Sequence, residues 1–253
     1  MGKVYAIVNQ KGGVGKTTTN INLASCLAYM GKKVLTIDID AQGNTTSGLG
    51  VDKNCDSIYE CMIEGLDPHT AIKHTKYENL DILPANMDLA GGEVELVTLE
   101  NREYKLKSVI DQIKDEYDYV LLDCPPSLGL VTLNALIASD AVLVPLQCEY
   151  YALEGLSQLI ETVQAVKGKF NPSLYIEGVV LTMYDNRTKL SVQVANEISK
   201  HFGEVLYKTY IPRNVRLGEA PSFAKSIIDY DKRSLGALRY MQLAEEFVKR
   251  SEK

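Results

Sequence analysis

Asn9-Gln10-Lys11-Gly12-Gly13-Val14-Gly15-Lys16-Thr17-Thr18 is the stretch that decides how this chain folds. An apolar run, Val4-Tyr5-Ala6-Ile7-Val8, precedes it, and Thr19-Asn20-Ile21-Asn22-Leu23-Ala24 continues it with helical character. The order is strand, glycine loop, helix. Gly12, Gly13 and Gly15 lack Cβ atoms, so backbone N–H groups can turn inward around an anion at the positive end of the following helix. In such a loop Lys16 reaches the β- and γ-phosphates of a nucleotide and the Thr17 hydroxyl ligates Mg²⁺. The nucleotide-binding set expected here is Lys11, Gly12, Gly13, Val14, Gly15, Lys16, Thr17 and Thr18. The usual spacing of a phosphate loop asks for glycine at position 10, where this chain has Gln10, and a second lysine, Lys11, stands at the loop's mouth.

Further apolar runs recur along the chain at Val34–Ile37, Leu80–Leu83, Tyr119–Leu122, Ala141–Leu146, Ile176–Leu181 and Leu206–Ile211. Helical segments are expected between them, over Thr17–Met30, Arg102–Glu116, Leu153–Lys169, Ser191–Phe202 and Ser234–Arg250, with Gly31 stopping the first. Strands that read as continuous hydrophobic runs are covered on both faces, as in a parallel sheet. The fold class is α/β, a doubly wound, mostly parallel sheet. With 253 residues, 45% hydrophobic composition and no Pro/Gly/Ser linker, one domain over residues 1–253 is expected. There is no eighteen-residue apolar run and no secretory leader pattern, which predicts a cytoplasmic protein with no membrane span. The five cysteines, Cys26, Cys55, Cys61, Cys124 and Cys148, form no C-x-x-C pair and are read as reduced, mostly buried thiols.

Two acidic segments complete the candidate site. In Thr36-Ile37-Asp38-Ile39-Asp40-Ala41-Gln42-Gly43-Asn44, strand alternation puts Asp38 and Asp40 on one side, where a metal or an attacking water could be held. In Tyr119-Val120-Leu121-Leu122-Asp123-Cys124-Pro125-Pro126-Ser127-Leu128-Gly129, a buried strand delivers Asp123 at its carboxyl end, the arrangement of a Walker B acid. Thr17, Asp40 and Asp123 are the metal-site candidates. The loops Leu181-Thr182-Met183-Tyr184-Asp185-Asn186-Arg187-Thr188 and Tyr210-Ile211-Pro212-Arg213-Asn214-Val215-Arg216 follow expected strands and are placed to line the base end of a nucleotide pocket.

Charge adds one more feature. The formal net charge is −6, yet residues 187–239 hold ten basic side chains against five acidic ones. Nucleic-acid binding would have to come from this local patch, and Arg187, Arg213, Arg216 and Lys225 are its candidates.

The loop Lys11-Gly12-Gly13-Val14-Gly15-Lys16-Thr17-Thr18 resembles the deviant Walker A motif of the ParA/MinD group of P-loop NTPases, the SIMIBI type. Asp38-Ile39-Asp40, Gln42-Gly43-Asn44, Asp123-Cys124-Pro125-Pro126-Ser127, Gln147-Cys148-Glu149-Tyr150-Tyr151 and Ile211-Pro212-Arg213-Asn214 extend the resemblance over nearly the whole chain, and it is most similar to the short ParA/Soj chromosome-partitioning ATPases, which lack an N-terminal helix-turn-helix extension. That resemblance implies an ATPase using ATP and Mg²⁺, a nucleotide-sandwich homodimer, nonspecific binding of double-stranded DNA, nucleoid association, and slow hydrolysis stimulated by a ParB-type partner. It implies a catalytic set of Lys11, Lys16 and Asp40, base contacts by Pro212 and Asn214, and a dimer face at Lys11 and Gly12, where Lys11 crosses to the partner's nucleotide. Ala41 departs from the proline usual in the family and puts the rigidity of the Asp40 loop in question. Cys124 invites comparison with the iron proteins of the same group, but no second suitably placed cysteine offers a cluster ligand. The alternative is a MinD-like membrane-associated positioning ATPase anchored by a C-terminal amphipathic helix. Leu238–Arg250 has the helical spacing for it, but Glu245 and Glu246 dilute any attraction to anionic lipid, so this segment is expected to pack on the sheet. A metabolic ligase or kinase on the same fold would need a small-substrate pocket, and no sequence feature identifies one.

Overall fold

Alternation along the strands builds the core. In the first strand Val4, Ala6 and Val8 enter one hydrophobic cluster while Tyr5 and Ile7 enter another, and Val120 and Leu122 separate in the same way from Tyr119 and Leu121. Both faces of one sheet are thereby covered, as continuous apolar runs require. The computed structural model describes residues 2–252.

The chain runs β1 (Lys3–Ile7), α1 (Lys16–Tyr29), β2 (Val34–Asp38), α2 (Asn44–Gly48), α3 (Pro68–Ala71), β3 (Lys73–His74), β4 (Leu80–Leu83), α4 (Leu89–Leu96) and α5 (Lys105–Ile113). It continues β5 (Tyr119–Asp123), α6 (Leu130–Ala138), β6 (Ala141–Gln147), α7 (Ala152–Lys169), β7 (Tyr175–Thr182), α8 (Lys189–Phe202), α9 (Val215–Glu219), α10 (Ile227–Tyr230) and α11 (Leu235–Ser251). The seven strands form one sheet in the order β3-β4-β2-β5-β1-β6-β7. All neighbours are parallel except the short β3, which pairs antiparallel with β4 at the edge. From β1 the chain goes first toward β2 and later toward β6 on the other side, so the strand order reverses beside β1. A ligand crevice is expected at the carboxyl end of that strand, where the glycine loop begins.

The doubly wound parallel fold is as predicted, with two corrections. Residues 206–211 do not form a strand. They touch β7 through an isolated bridge at Leu206 and through Tyr207 N–H to Val179 O (2.9 Å) and Ile211 N–H to Leu181 O (2.8 Å). Between these contacts the Lys208 and Thr209 N–H groups donate to the Glu246 carboxylate on α11, each at 2.9 Å, which draws the backbone off the sheet. The segment 102–116 is likewise interrupted, with a 3₁₀ turn on each side of α5. The cysteines are free; Cys26, Cys61, Cys124 and Cys148 are buried and Cys55 is half-buried.

The C-terminal helix packs on the sheet. Ser234 caps α11 by accepting the Ala237 N–H at 3.1 Å, and Tyr240, Leu243, Ala244 and Phe247 are buried from its inner face. Phe247 meets the rings of Tyr5 and Tyr119 at 4.6 and 5.4 Å, and the Tyr240 hydroxyl lies 3.2 Å from that of Thr19 on α1. Leu235 and Leu238 stay exposed in its first turn. Among the described residues no helix is long and apolar enough to cross a membrane. Replacing Phe247 with Ala is expected to lower the unfolding free energy by about 3–5 kcal/mol in denaturant titration; a loss under about 1 kcal/mol would mean that α11 is not docked as described.

Candidate nucleotide site

The glycine loop turns as its sequence requires. Gly13 and Gly15 adopt φ of 75° and 88°, a region costly for side-chain-bearing residues, and Gly15 is the N-cap of α1. Val14 is buried and works through its main chain: its carbonyl accepts the buried Thr182 hydroxyl from the end of β7 at 2.7 Å. The Lys16 ammonium curls back to the Lys11 carbonyl at 3.2 Å. Burial pushes the Lys16 pKa down, and the charges of Asp123 and Asp40 oppose that push.

Around this loop lies a cleft of 570 Å³ lined by Gly12, Gly13, Lys16, Thr17, Asp40 and Pro126, among others. Gly15, Thr18 and Met183 belong equally to a neighbouring cleft of 490 Å³, whose wall includes Pro212, Asn214, Leu217 and Tyr240. The two form one groove, charged and glycine-rich at one end and more apolar at the other, in the proportions of a phosphate chain and a base. Met183 sits at the junction with φ of 48°, pinned on either side by Thr182 and by the Tyr184 N–H to Ile211 O contact at 3.0 Å. Asn214 turns its Oδ1 to the Arg216 N–H at 2.9 Å as the cap of α9. A wider cleft of 690 Å³ between β7 and α11 contains none of the expected residues. Across it Glu246 accepts backbone N–H groups and Arg250 Nη2 donates to the Leu206 carbonyl at 2.7 Å, which join α11 to the segment after α8.

The acids are arranged differently from the sequence reading. β2 ends at Asp38 and the chain turns, with Gly43 N–H on Asp40 O at 2.8 Å, so strand alternation does not extend to Asp40. Asp38 is fully buried and accepts the Thr46 N–H and hydroxyl, each at 2.8 Å, and the Asp40 N–H at 3.2 Å. It is structural. Asp40 is half-buried and lines the cleft, with Oδ1 accepting the Gln42 N–H at 3.0 Å. In this loop, which lacks the proline, the Lys53 ammonium donates to the Gln42 carbonyl at 2.5 Å.

Asp123 lies in register with Asp38 on the adjacent strand and is 1% exposed. Burial, and next the neighbouring Asp38 charge, push its pKa up, while the Thr45 and Thr17 hydroxyls pull it down. Its Oδ2 accepts the Thr45 hydroxyl at 2.8 Å, and its Oδ1 is buried without a hydrogen-bond partner. An orphaned carboxylate oxygen beside the Thr17 hydroxyl, with Asp40 nearby, is the donor set a magnesium ion with its waters would satisfy. Among the described residues no three His, Cys, Asp or Glu side chains converge on one metal position, which suits an ion that takes most of its shell from water and phosphate.

The remaining candidates lie at the rim of this groove or beyond it. Lys11 points away from the cleft and pairs with Glu149 at the end of β6; both side chains are nearly half exposed. Gly12 faces open space: an added Cβ would meet only the Pro126 Cβ, at 4.0 Å. Arg187 is bound to Asp185 at 2.8 and 2.9 Å, and Arg216 to Glu219 at 2.9 Å and Asp231 at 3.7 Å. Arg213 is exposed at the mouth of the apolar cleft, and Lys225 is half-buried between α9 and α10. Thr45 and Thr46 have no role in the sequence reading, and Thr182 enters it only within a loop at the base end. For the first two the available signal was a pair of threonines directly after Gln42-Gly43-Asn44, where a helix start beside buried acids needs hydroxyl donors.

Comparison with known proteins agrees with this geometry. Residues 2–176 match a family model described as an AAA domain. The sporulation initiation inhibitor protein Soj of Bacillus subtilis is 57% identical over 250 residues, covering 97% of this chain and 98% of that protein. The chromosome partitioning protein ParA of Myxococcus xanthus is 49% identical over 252 residues, covering 99% and 89%. Among solved structures, a cobyrinic acid a,c-diamide synthase of Mycobacterium smegmatis with bound ADP and magnesium superimposes with a TM-score of 0.87 at 36% identity, covering 100% and 96% of the two chains. Identity at this level, over nearly the full length of both chains, places the protein in the Soj/ParA family of chromosome-partitioning ATPases.

Proposed function

We propose that this chain is a partition ATPase in which Mg-ATP closes a homodimer that holds nonspecific double-stranded DNA, and in which hydrolysis, stimulated by a ParB-type partner, releases it. One observation carries the reading: of the two lysines in the glycine loop, Lys16 lines the cleft while Lys11 is turned out of it, onto Glu149 at the surface. A cation that does not face its own cleft is placed to serve another.

The roles follow from position. Loop N–H groups and the α1 terminus hold the phosphates, and Lys16 neutralises them from within. Thr17 and Asp123 would hold magnesium, which when bound would supply positive charge to offset the charge that develops on the phosphates. Asp40 orients the attacking water from the cleft wall. Lys11 of the partner subunit adds a second cation to the triphosphate, so the full transition-state charge is met only in the dimer. Pro212 and Asn214 bound the base. The basic patch then appears twice on one assembly; Arg187 and Arg216, although paired, have further guanidinium N–H groups to offer a phosphate.

Against the membrane-positioning alternative stands the burial of Tyr240, Leu243, Ala244 and Phe247 of the C-terminal helix. The name of the mycobacterial neighbour raises a synthase reading, which product analysis separates: only ADP and phosphate should form.

Three outcomes test the proposal. Retention on nonspecific duplex DNA should require ATP rather than ADP, and should fall by about three orders of magnitude between about 50 and about 200 mM salt if about six phosphates are contacted; equal retention without nucleotide would defeat it. Gly12→Val should leave the isolated chain as stable as before, since the space around Gly12 is open, but abolish the ATP-dependent dimer in sedimentation. An undiminished dimer would remove Gly12 from the interface. Asp40→Ala should lower turnover by about a hundredfold or more while ATP still binds, and hydrolysis at the unmodified rate would take Asp40 out of the catalytic set.

A further inference from the structure

Asp38 and Asp123 end adjacent parallel strands in register, both buried, and two consecutive threonines divide them. Thr46 gives Asp38 two hydrogen bonds and the Asp40 N–H gives a third, so both Asp38 oxygens are engaged. Thr45 gives Asp123 one, to Oδ2, and leaves Oδ1 without a partner. The direction of that bond is fixed by proton counting. A threonine hydroxyl has a single proton, and the Asn20 amide approaches Thr45 Oγ1 as a donor at 3.3 Å, so the Thr45 proton goes to the carboxylate at 2.8 Å. Asn20 also donates to Thr36 Oγ1 at 2.5 Å, which holds its amide in place.

The chain Asn20, Thr45, Asp123 therefore joins three elements that meet at the site. Asn20 lies on α1 one turn after Lys16, Thr45 opens the helix that follows the Asp40 loop, and Asp123 ends β5. We propose that Thr45 is a positioning residue for magnesium: by holding Oδ2 it locks the Asp123 carboxylate so that Oδ1 is the oxygen left toward the metal shell, and it ties the carboxylate to the helix that follows the Asp40 loop. This assignment rests on the Mg-ATP reading above. Groups behind a metal's direct partners that orient them typically govern affinity for the ion by about 10–100-fold. Thr45 has that placement with respect to Asp123.

The test is a magnesium titration of a fluorescent ADP analogue, 2′(3′)-O-(N-methylanthraniloyl)-ADP, bound to the full chain, beginning in EDTA. Thr45→Val keeps the branched shape and removes the hydroxyl. Its half-saturating magnesium concentration should rise by about 10–100-fold with affinity in EDTA unchanged, and Thr45→Ser, which keeps the hydroxyl, should restore the original midpoint. Should the valine variant fail to fold by circular dichroism, Thr45→Ala carries the same comparison against Thr45→Ser. A magnesium midpoint unchanged in the variant lacking the hydroxyl overturns the assignment, as does an equal loss of binding in EDTA, which would place the damage in the glycine loop. If the unmodified chain itself binds the analogue indifferently to magnesium, the Mg-ATP reading falls as well, so the two failures are distinguishable.

Discussion

Two carboxylates buried side by side are the constraint on which this site depends. Asp38 and Asp123 stand on adjacent strands, about 4.8 Å apart in the hydrogen-bonding direction of a sheet. Burial raises the pKa of each; the Asp38 charge adds to the penalty at Asp123, and the Asp40 charge adds to that at Asp38. Ionised, the pair needs donors and positive charge from every element that reaches it. The first turn of α2 supplies two hydroxyls and a backbone N–H, α1 supplies the buried Lys16, and the Thr17 hydroxyl stands beside Asp123. The supply is unequal. Asp38 is saturated and closes the joint between β2 and α2, whereas Asp123 keeps one oxygen unmet. In this way two chemically identical groups end differently, one fully hydrogen-bonded and one with an oxygen unmet.

The groove has a second organising feature, in the ties that run across it. Thr182 binds the main chain of the glycine loop, Tyr184 binds the chain at Ile211, and Tyr240 of α11 meets Thr19 of α1. The phosphate end and the apolar end are thus walled by elements hydrogen-bonded to one another, which is why the strained backbone at Met183 can persist between them. Residues 212–219 wall the apolar end and carry Arg213 and Arg216 on the same short stretch, so the ligand groove and part of the basic patch share a single piece of backbone.

What was legible in the sequence was whatever depends on local pattern. The strand-loop-helix at Lys11–Thr18, the parallel sheet and the docking of α11 all follow from hydrophobic period and glycine placement. The segment 206–211 misled because its apolar residues do face the core, while its backbone is claimed by Glu246, some forty residues away on α11. Asp38 and Asp40 misled because alternation holds only as long as the strand does, and β2 stops at Asp38. Thr45 could not be assigned from spacing alone, since its partner Asp123 is 78 residues distant and becomes a neighbour only through strand register.

The exposed pairing of Lys11 with Glu149 bears on how a lysine can be held ready without being lost. An ion pair between side chains that are each nearly half exposed is worth no more than about 1 kcal/mol. That is enough to bias an unbranched ammonium toward one direction, and too little to compete with a polyphosphate in a site from which water is excluded, where the same charge interacts far more strongly. Gln10 reinforces the direction from the adjacent position, reaching Gln158 on α7 at 2.7 Å. The outer cation of the loop is thereby neutralised by a surface partner that it can give up at small cost.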